Sequence, residues 1–299
     1  TYVGQQGDVD FLKLVGQLAF GAMSRDFVSI QAVGGTGALR NLSGNNSFNG
    51  LVTLAGPTLI QSDAGSLFLA GATSVVAGAN ALTVGGAGNV AISGIIDGVG
   101  ASLTKVGAGT LSLSGVNTFD GGTTVTAGTL SLAASGVLND SSSLTVNGGT
   151  FNVATFNETI NQVILSSGTI AGSTGALTST QPFDLRMGTV SAILAGVNVV
   201  KTTTGLVTLS GANTYTGNTT ISAGTVLVGA PAALGASTAG VTVSAGASLD
   251  LNGFSIANAL NLAGSGVNNS GALANSSSSA ATAAGNITLS ANTLIKNSG

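Results

Sequence analysis

One stretch of this sequence returns almost unchanged, and that return limits the fold more than any other feature. Residues Gly109 to Leu132 reappear as Gly205 to Val228, 96 positions later (205 − 109), with no insertion or deletion. Identities include Leu113/Leu209, Gly115/Gly211, Asn117/Asn213, Thr123/Thr219 and Gly128/Gly224. The differences are mild, as in Phe119/Tyr215 and Val125/Ile221. Repetition on this scale implies units stacked on their neighbours.

Within the unit, Leu111 and Leu113 alternate with Thr110 and Ser112. Val125 lies between Thr124 and Thr126, and Leu130 and Leu132 flank Ser131. A period of two sends the aliphatic side chains to one face of a strand and the hydroxyls to the other. Glycines at 115, 121, 122 and 128 cut the pattern into short strands joined by tight corners. No run here keeps a helical period. The expectation is that Leu111, Leu113, Val125, Leu130 and Leu132 point inward, with their partners at 207, 209, 221, 226 and 228.

The string Gly109-Thr-Leu-Ser-Leu-Ser-Gly-Val-Asn-Thr-Phe-Asp-Gly-Gly-Thr-Thr-Val-Thr-Ala-Gly-Thr-Leu130 resembles the autotransporter-associated β-strand repeat, also called the passenger-associated transport repeat. The resemblance implies an all-β chain, a right-handed parallel β-helix (β-solenoid) outside a bacterial cell. It says much about architecture and almost nothing about chemistry. With about 20–25 residues per coil and ~4.8 Å between strands, the chain would make a rod of about 60–70 Å.

Composition agrees with ordered β-structure. Glycine supplies 47 of 299 residues, while charged residues are 6% and hydrophobic ones 43%. Disordered chains are poor in apolar residues and rich in charge, the reverse of this balance. A net charge of −3 with Lys13, Arg25, Arg40, Lys105, Arg186, Lys201 and Lys296 scattered offers no basic footprint for nucleic acid. Cysteine is absent, which removes disulfides and thiolate metal sites. No apolar run reaches the ~18 residues of a membrane span. No signal-peptide pattern opens the sequence, so a processed chain or an internal segment is expected.

Residues 1–34 are the least typical. Phe11, Leu14, Val15 and Leu18 follow helical spacing, but Gly16 and Gly21 weaken a helix. Strands over Asp10–Val15 and Phe27–Gln31 fit the remainder of the chain and are the preferred reading. From residue 35 to 299 the solenoid pattern continues, with strands expected at Ser66–Leu69, Asn89–Ile92 and Ser143–Val146, among others. A second match relates residues 37–60 to 271–295. Residues 181–200, with Pro182, Asp184 and Arg186, suggest a protruding loop, and 268–285 a bulge or mobile turn. Phe48, Phe68, Phe119, Phe151, Phe156, Tyr215 and Phe254 are expected inside or at corners. Asn117 and Asn213 are expected to bond to neighbouring coils.

Catalytic candidates are few. Histidine is absent along with cysteine, so the commonest general base and the thiol nucleophile are missing. The carboxylates stand singly. Asp184 with Arg186 is the pair most worth following, weighed against an ordinary surface ion pair. Gly85-Gly-Ala-Gly88 runs into a strand rather than a helix and reads as a turn. Thr124-Val-Thr126 fits the Thr-x-Thr ranks of an ice-binding solenoid, but Thr220-Ile-Ser222 breaks the pattern. No catalytic, cofactor or metal residue is therefore assigned.

The expectation is a non-catalytic structural or adhesive surface rod, part of a giant repetitive protein or an extracellular filament. Its partners would be itself, end to end or laterally, and surface glycans. The alternative is a carbohydrate-active β-helix enzyme with a clustered acidic groove. The closing Asn297-Ser-Gly299 forms no clear cap, so a following coil or a stacked protomer is expected.

Overall fold

The computed structural model describes residues 28–30 and 38–299. Every strand pairing among them is parallel, and the chain winds as a β-solenoid of about 12 turns. Each full turn lays strands on up to three faces. Leu39–Asn41, Thr58–Ser62, Leu82–Gly85, Leu103–Lys105 and Thr123–Val125 stack on the first face. Asn45–Phe48, Ser66–Leu69, Asn89–Ile92, Thr110–Leu113 and Thr129–Leu132 stack on the second. Both columns continue to the last turn, ending at Ile287–Thr293 and Ile295–Asn297. At ~4.8 Å per turn the described rod is about 58 Å long.

The third face is interrupted. It carries Val28–Ile30, Val52–Leu54, Thr73–Val76 and Ile95–Asp97, and later Glu158–Ile160, Ala176–Ser179 and Ile193–Gly196. Loops take its place elsewhere. Val28–Ile30 pairs with Val52–Leu54; the other expected strands of residues 1–34, and the helix weighed against them, lie outside the described residues.

Alternation explains the core. Leu67, Val90, Leu111, Leu130, Phe151, Ile170, Val190, Leu209 and Val228 form one continuous column on the second face, each 1% exposed or less. All ten residues expected to point inward from the repeat are buried. Burial of one such side chain is worth about 1.5–3 kcal/mol, and stacking multiplies it turn by turn.

Three expectations need correction. Residues 181–200 form no protruding loop: Phe183–Leu185, Gly188–Val190 and Ile193–Gly196 are strands, with Phe183 and Leu185 fully buried. This turn is short, 16 residues from Phe183 to its register partner Val199 (199 − 183), and Asp184 occupies the outward position between two core residues. Phe68 points outward and is 41% exposed, because it alternates with the buried Leu67 and Leu69. The match of 37–60 to 271–295 joins strands on different faces: Leu39–Asn41 lies on the first and Leu273–Asn275 on the second.

Residues 268–285 contain a short 3₁₀ turn, Val267–Asn269, with Asn268 and Asn269 at positive φ, and the strand Leu273–Asn275. In the last turn Ile287, Leu289 and Ile295 extend the columns of Leu260, Leu262 and Leu273. They are 41–56% exposed, with no further turn covering them among the described residues.

Candidate functional site

The polar groups that matter structurally lie inside the solenoid. Lys105 and Lys201 occupy the same place in the two repeat copies (201 − 105 = 96), and each is buried. Alternation dictates this, since Leu103-Thr104-Lys105 and Val199-Val200-Lys201 both run buried, half-exposed, buried. The Lys105 Nζ donates to the carbonyl oxygens of Val106 at 2.6 Å, Gly107 at 2.8 Å and Ala127 at 3.3 Å. Lys201 donates to the carbonyl and hydroxyl of Thr203. The ammonium thus caps carbonyls left over where a strand turns a corner.

Gly128 and Gly224 close that corner at φ +62° and +71°, and a Cβ on either would meet the Lys Nζ at 2.8 Å. Positive φ and the still nearer carbonyls, of Gly107 and Gly109 in one copy and of Gly205 and Thr203 in the other, exclude a side chain there as well. Burial pushes the Lys105 amine down to about 8. It also lowers Lys201, there partly opposed by the charge of Asp184.

Asn117 and Asn213 bond to neighbouring coils as expected, but to backbone rather than to one another. The Asn117 Oδ1 accepts from the Ile96 N–H at 2.8 Å, and its Nδ2 donates to the Val137 carbonyl at 2.9 Å. Asn213 does the same with the Leu194 N–H at 2.8 Å and the Ala233 carbonyl at 2.6 Å. Each asparagine ties the turn before it to the turn after it, on the side where the third face has no continuous ladder.

Glu158 clamps the Val137 loop from the other side. Its buried carboxylate accepts the amides of Val137 at 2.8 Å and Leu138 at 3.3 Å. Burial pushes its pKa up to about 7 against those hydrogen bonds, and the nearby charge of Asp140 adds to the rise. In the second copy Asn258 takes this role by donating to the carbonyls of Leu234, Ala236 and Ala239.

Asp184 and Arg186 form an ion pair through one carboxylate oxygen, while the other, Asp184 Oδ1, is buried with no partner among the described residues. The Arg186 guanidinium lies 2.7 Å from Asp184 on the outer side of the first face. A second pair, Arg40–Asp63 at 2.6 Å, links the two first-face strands at the start of the described rod; it holds the Asp63 carboxyl below its usual range, against desolvation. Asp97 accepts from the Thr118 hydroxyl, Asp120 from the Gly100 N–H, and Asp250 from the amides of Asn252 and Ser276. These carboxylates hold turns together one at a time. Among the described residues no group of three or more His, Cys, Asp or Glu could hold a metal ion. A hollow of about 340 Å³ lies at the final turn between Leu251, Leu273, Ala281, Ile295 and Lys296.

Thr124-x-Thr126 does not found a double rank, because Thr126 turns its hydroxyl to the Lys105 carbonyl. The regular array lies on the second face. There Thr110, Thr129, Thr150, Thr169, Thr189 and Thr208 stand in register on six successive turns. Each precedes a core residue, so each points outward.

The family described as passenger-associated transport repeat matches residues 103–132 and 199–228. No curated protein and no solved structure matches the chain. Each matched segment covers the first- and second-face strands of two successive turns: Leu103–Lys105, Thr110–Leu113, Thr123–Val125 and Thr129–Leu132 in the first copy. Lys105, Asn117 and Gly128, with their counterparts Lys201, Asn213 and Gly224, are the residues that lock those turns. Two segments of the chain match the passenger-associated transport repeat, and they stand five turns apart in one solenoid.

Proposed function

We propose that this chain is a rigid, non-catalytic rod within a bacterial surface or secreted passenger protein, where it supplies length and a weakly charged exterior. The observation carrying this reading is the unbroken parallel register on the first and second faces through about 12 turns. Its supports are internal, because the two buried lysines and the paired asparagines all bind backbone of the solenoid. The separately engaged carboxylates favour it over a carbohydrate-active enzyme, which needs acids gathered in one groove.

Two measurements test the reading. Brief protease treatment of intact producing cells should remove the protein, and purified material should appear as rods in electron microscopy. Incubation with neutral and acidic polysaccharides should release no products. Cleavage that disappears in Asp184→Ala would establish the enzyme instead.

A further inference from the structure

The second face carries a feature that rod-building does not require. Its threonine column runs Thr110, Thr129, Thr150, Thr169, Thr189, Thr208 without interruption. Two residues along each strand, Ser112, Ser131 and Asn152 form a second polar column in register. None of the six threonine hydroxyls has a hydrogen-bond partner among the described residues. No outward position on this face from Asn45 to Ser210 is charged.

The spacing decides what such a row can bind. Hydroxyls ~4.8 Å apart are too distant to bond one another, since that needs about 2.8 Å. A water placed about 2.8 Å from two successive hydroxyls subtends about 118° at its oxygen. That is close to the tetrahedral angle of hydrogen-bonded water. One water per gap therefore makes a regular chain along the rod, and the second column offers anchors ~6.6 Å to the side. The fully buried column Leu111, Leu130, Phe151, Ile170, Val190 and Leu209 directly beneath fixes the backbone, so little ordering remains to be done on binding.

We propose that this face templates a crystal-like layer of water and adsorbs to ice. The first face makes a poorer site: its row Thr83, Thr104, Thr124, Thr145 stops after four turns at Ile164 and meets the charge of Asp184. An uncharged hydroxyl-bearing polymer or a second copy are the other occupants a neutral flat face admits. Neither accounts for the near-tetrahedral bridging angle.

The test is adsorption of the purified chain to slowly growing ice, with crystal shape and the gap between melting and freezing read in parallel. The wild type should be enriched in ice and facet the crystals. Thr150→Tyr combined with Thr169→Tyr should lose both effects while keeping its circular dichroism and melting curve. Val116→Tyr, on an exposed loop, should keep them. If the double variant does not fold, Ser131→Tyr on the same face replaces it. Exclusion of the wild type from ice, or equal behaviour of face and loop variants, overturns the proposal. So does retention on an insoluble neutral polysaccharide, or dimerisation through this face, without ice adsorption. Any of these outcomes leaves the rod reading intact, because that reading is judged by cell-surface proteolysis and microscopy.

Discussion

The Tyr215 hydroxyl lies 2.8 Å from the Thr219 hydroxyl, wholly inside the solenoid. In the other repeat copy the same two places hold Phe119 and Thr123, and there the buried Thr123 hydroxyl has no partner among the described residues. The chain thus contains both halves of a mutational comparison. Leaving a buried hydroxyl unpaired costs about 1–3 kcal/mol. Phe119→Tyr should therefore stabilise the rod, and Tyr215→Phe should destabilise it by about 1–2 kcal/mol. Urea unfolding of the two variants measures the difference, and opposite signs are expected.

Asn117→Ala should be more damaging than any surface change nearby. It removes the side-chain partner of the Ile96 N–H and one of two partners of the Val137 carbonyl, which keeps the Asn117 N–H, a loss of about 1–3 kcal/mol. Asn213→Ala should cost a similar amount through Leu194 and Ala233. Thermal unfolding of both variants, compared with an exposed control such as Val116→Ala, checks this.

The buried amine gives an alkaline signature. Its folded pKa, about 8, lies below the ordinary 10.5, so folding favours the neutral form. That contribution is fully present above pH 10.5 and is lost as pH falls through about 8. Relative to Lys105→Met, the wild type should gain melting temperature as pH rises from 8 to 10.5. Parallel curves for the two proteins would remove Lys105 from the interior.

Glu158 predicts the mirror image near neutrality. Its pKa is raised from 4.5 to about 7, so the associated stability is fully present below pH 4.5 and is lost as pH rises through 7. Glu158→Gln should flatten the fall in melting temperature between pH 5 and pH 8. Amide exchange at Val137 and Leu138 should report the change locally, with the loop held by Asn258 as the internal reference.

These cases show which signals the sequence carried. Strict alternation located the core: Leu111, Leu113, Ser66–Leu69 and Asn89–Ile92 fall where period two puts them. The misplacements came from letting residue type outrank that period. Phe68 is apolar yet sits at an outward position; the same period carries the charged Lys105, Glu158 and Lys201 inward, for which the sequence reading made no placement. Alternation through Leu103-Thr-Lys105 and Glu158-Thr-Ile160 pointed inward all along. Pro182, Asp184 and Arg186 likewise suggested a loop, although Phe183-Asp-Leu185 alternates as a strand.

What no local pattern contains is register. Five turns carry Lys105 to Lys201 on the first face, an offset of 96. On the second face the stack carries Leu111 to Leu209, an offset of 98 (209 − 111). The two-residue slip preserves inward and outward parity. It brings Thr208, rather than the exposed Leu206, onto the threonine column.

That register is also the most direct test of the account, and the absence of cysteine makes it accessible. Spin labels on Thr110→Cys and Thr208→Cys, 98 residues apart in sequence (208 − 110), stand five turns apart on one column. Pulsed electron–electron resonance should give a narrow distance distribution centred near 24 Å, five steps of ~4.8 Å. A broad distribution, or one centred tens of ångströms away, would contradict the stacked solenoid and everything built on it.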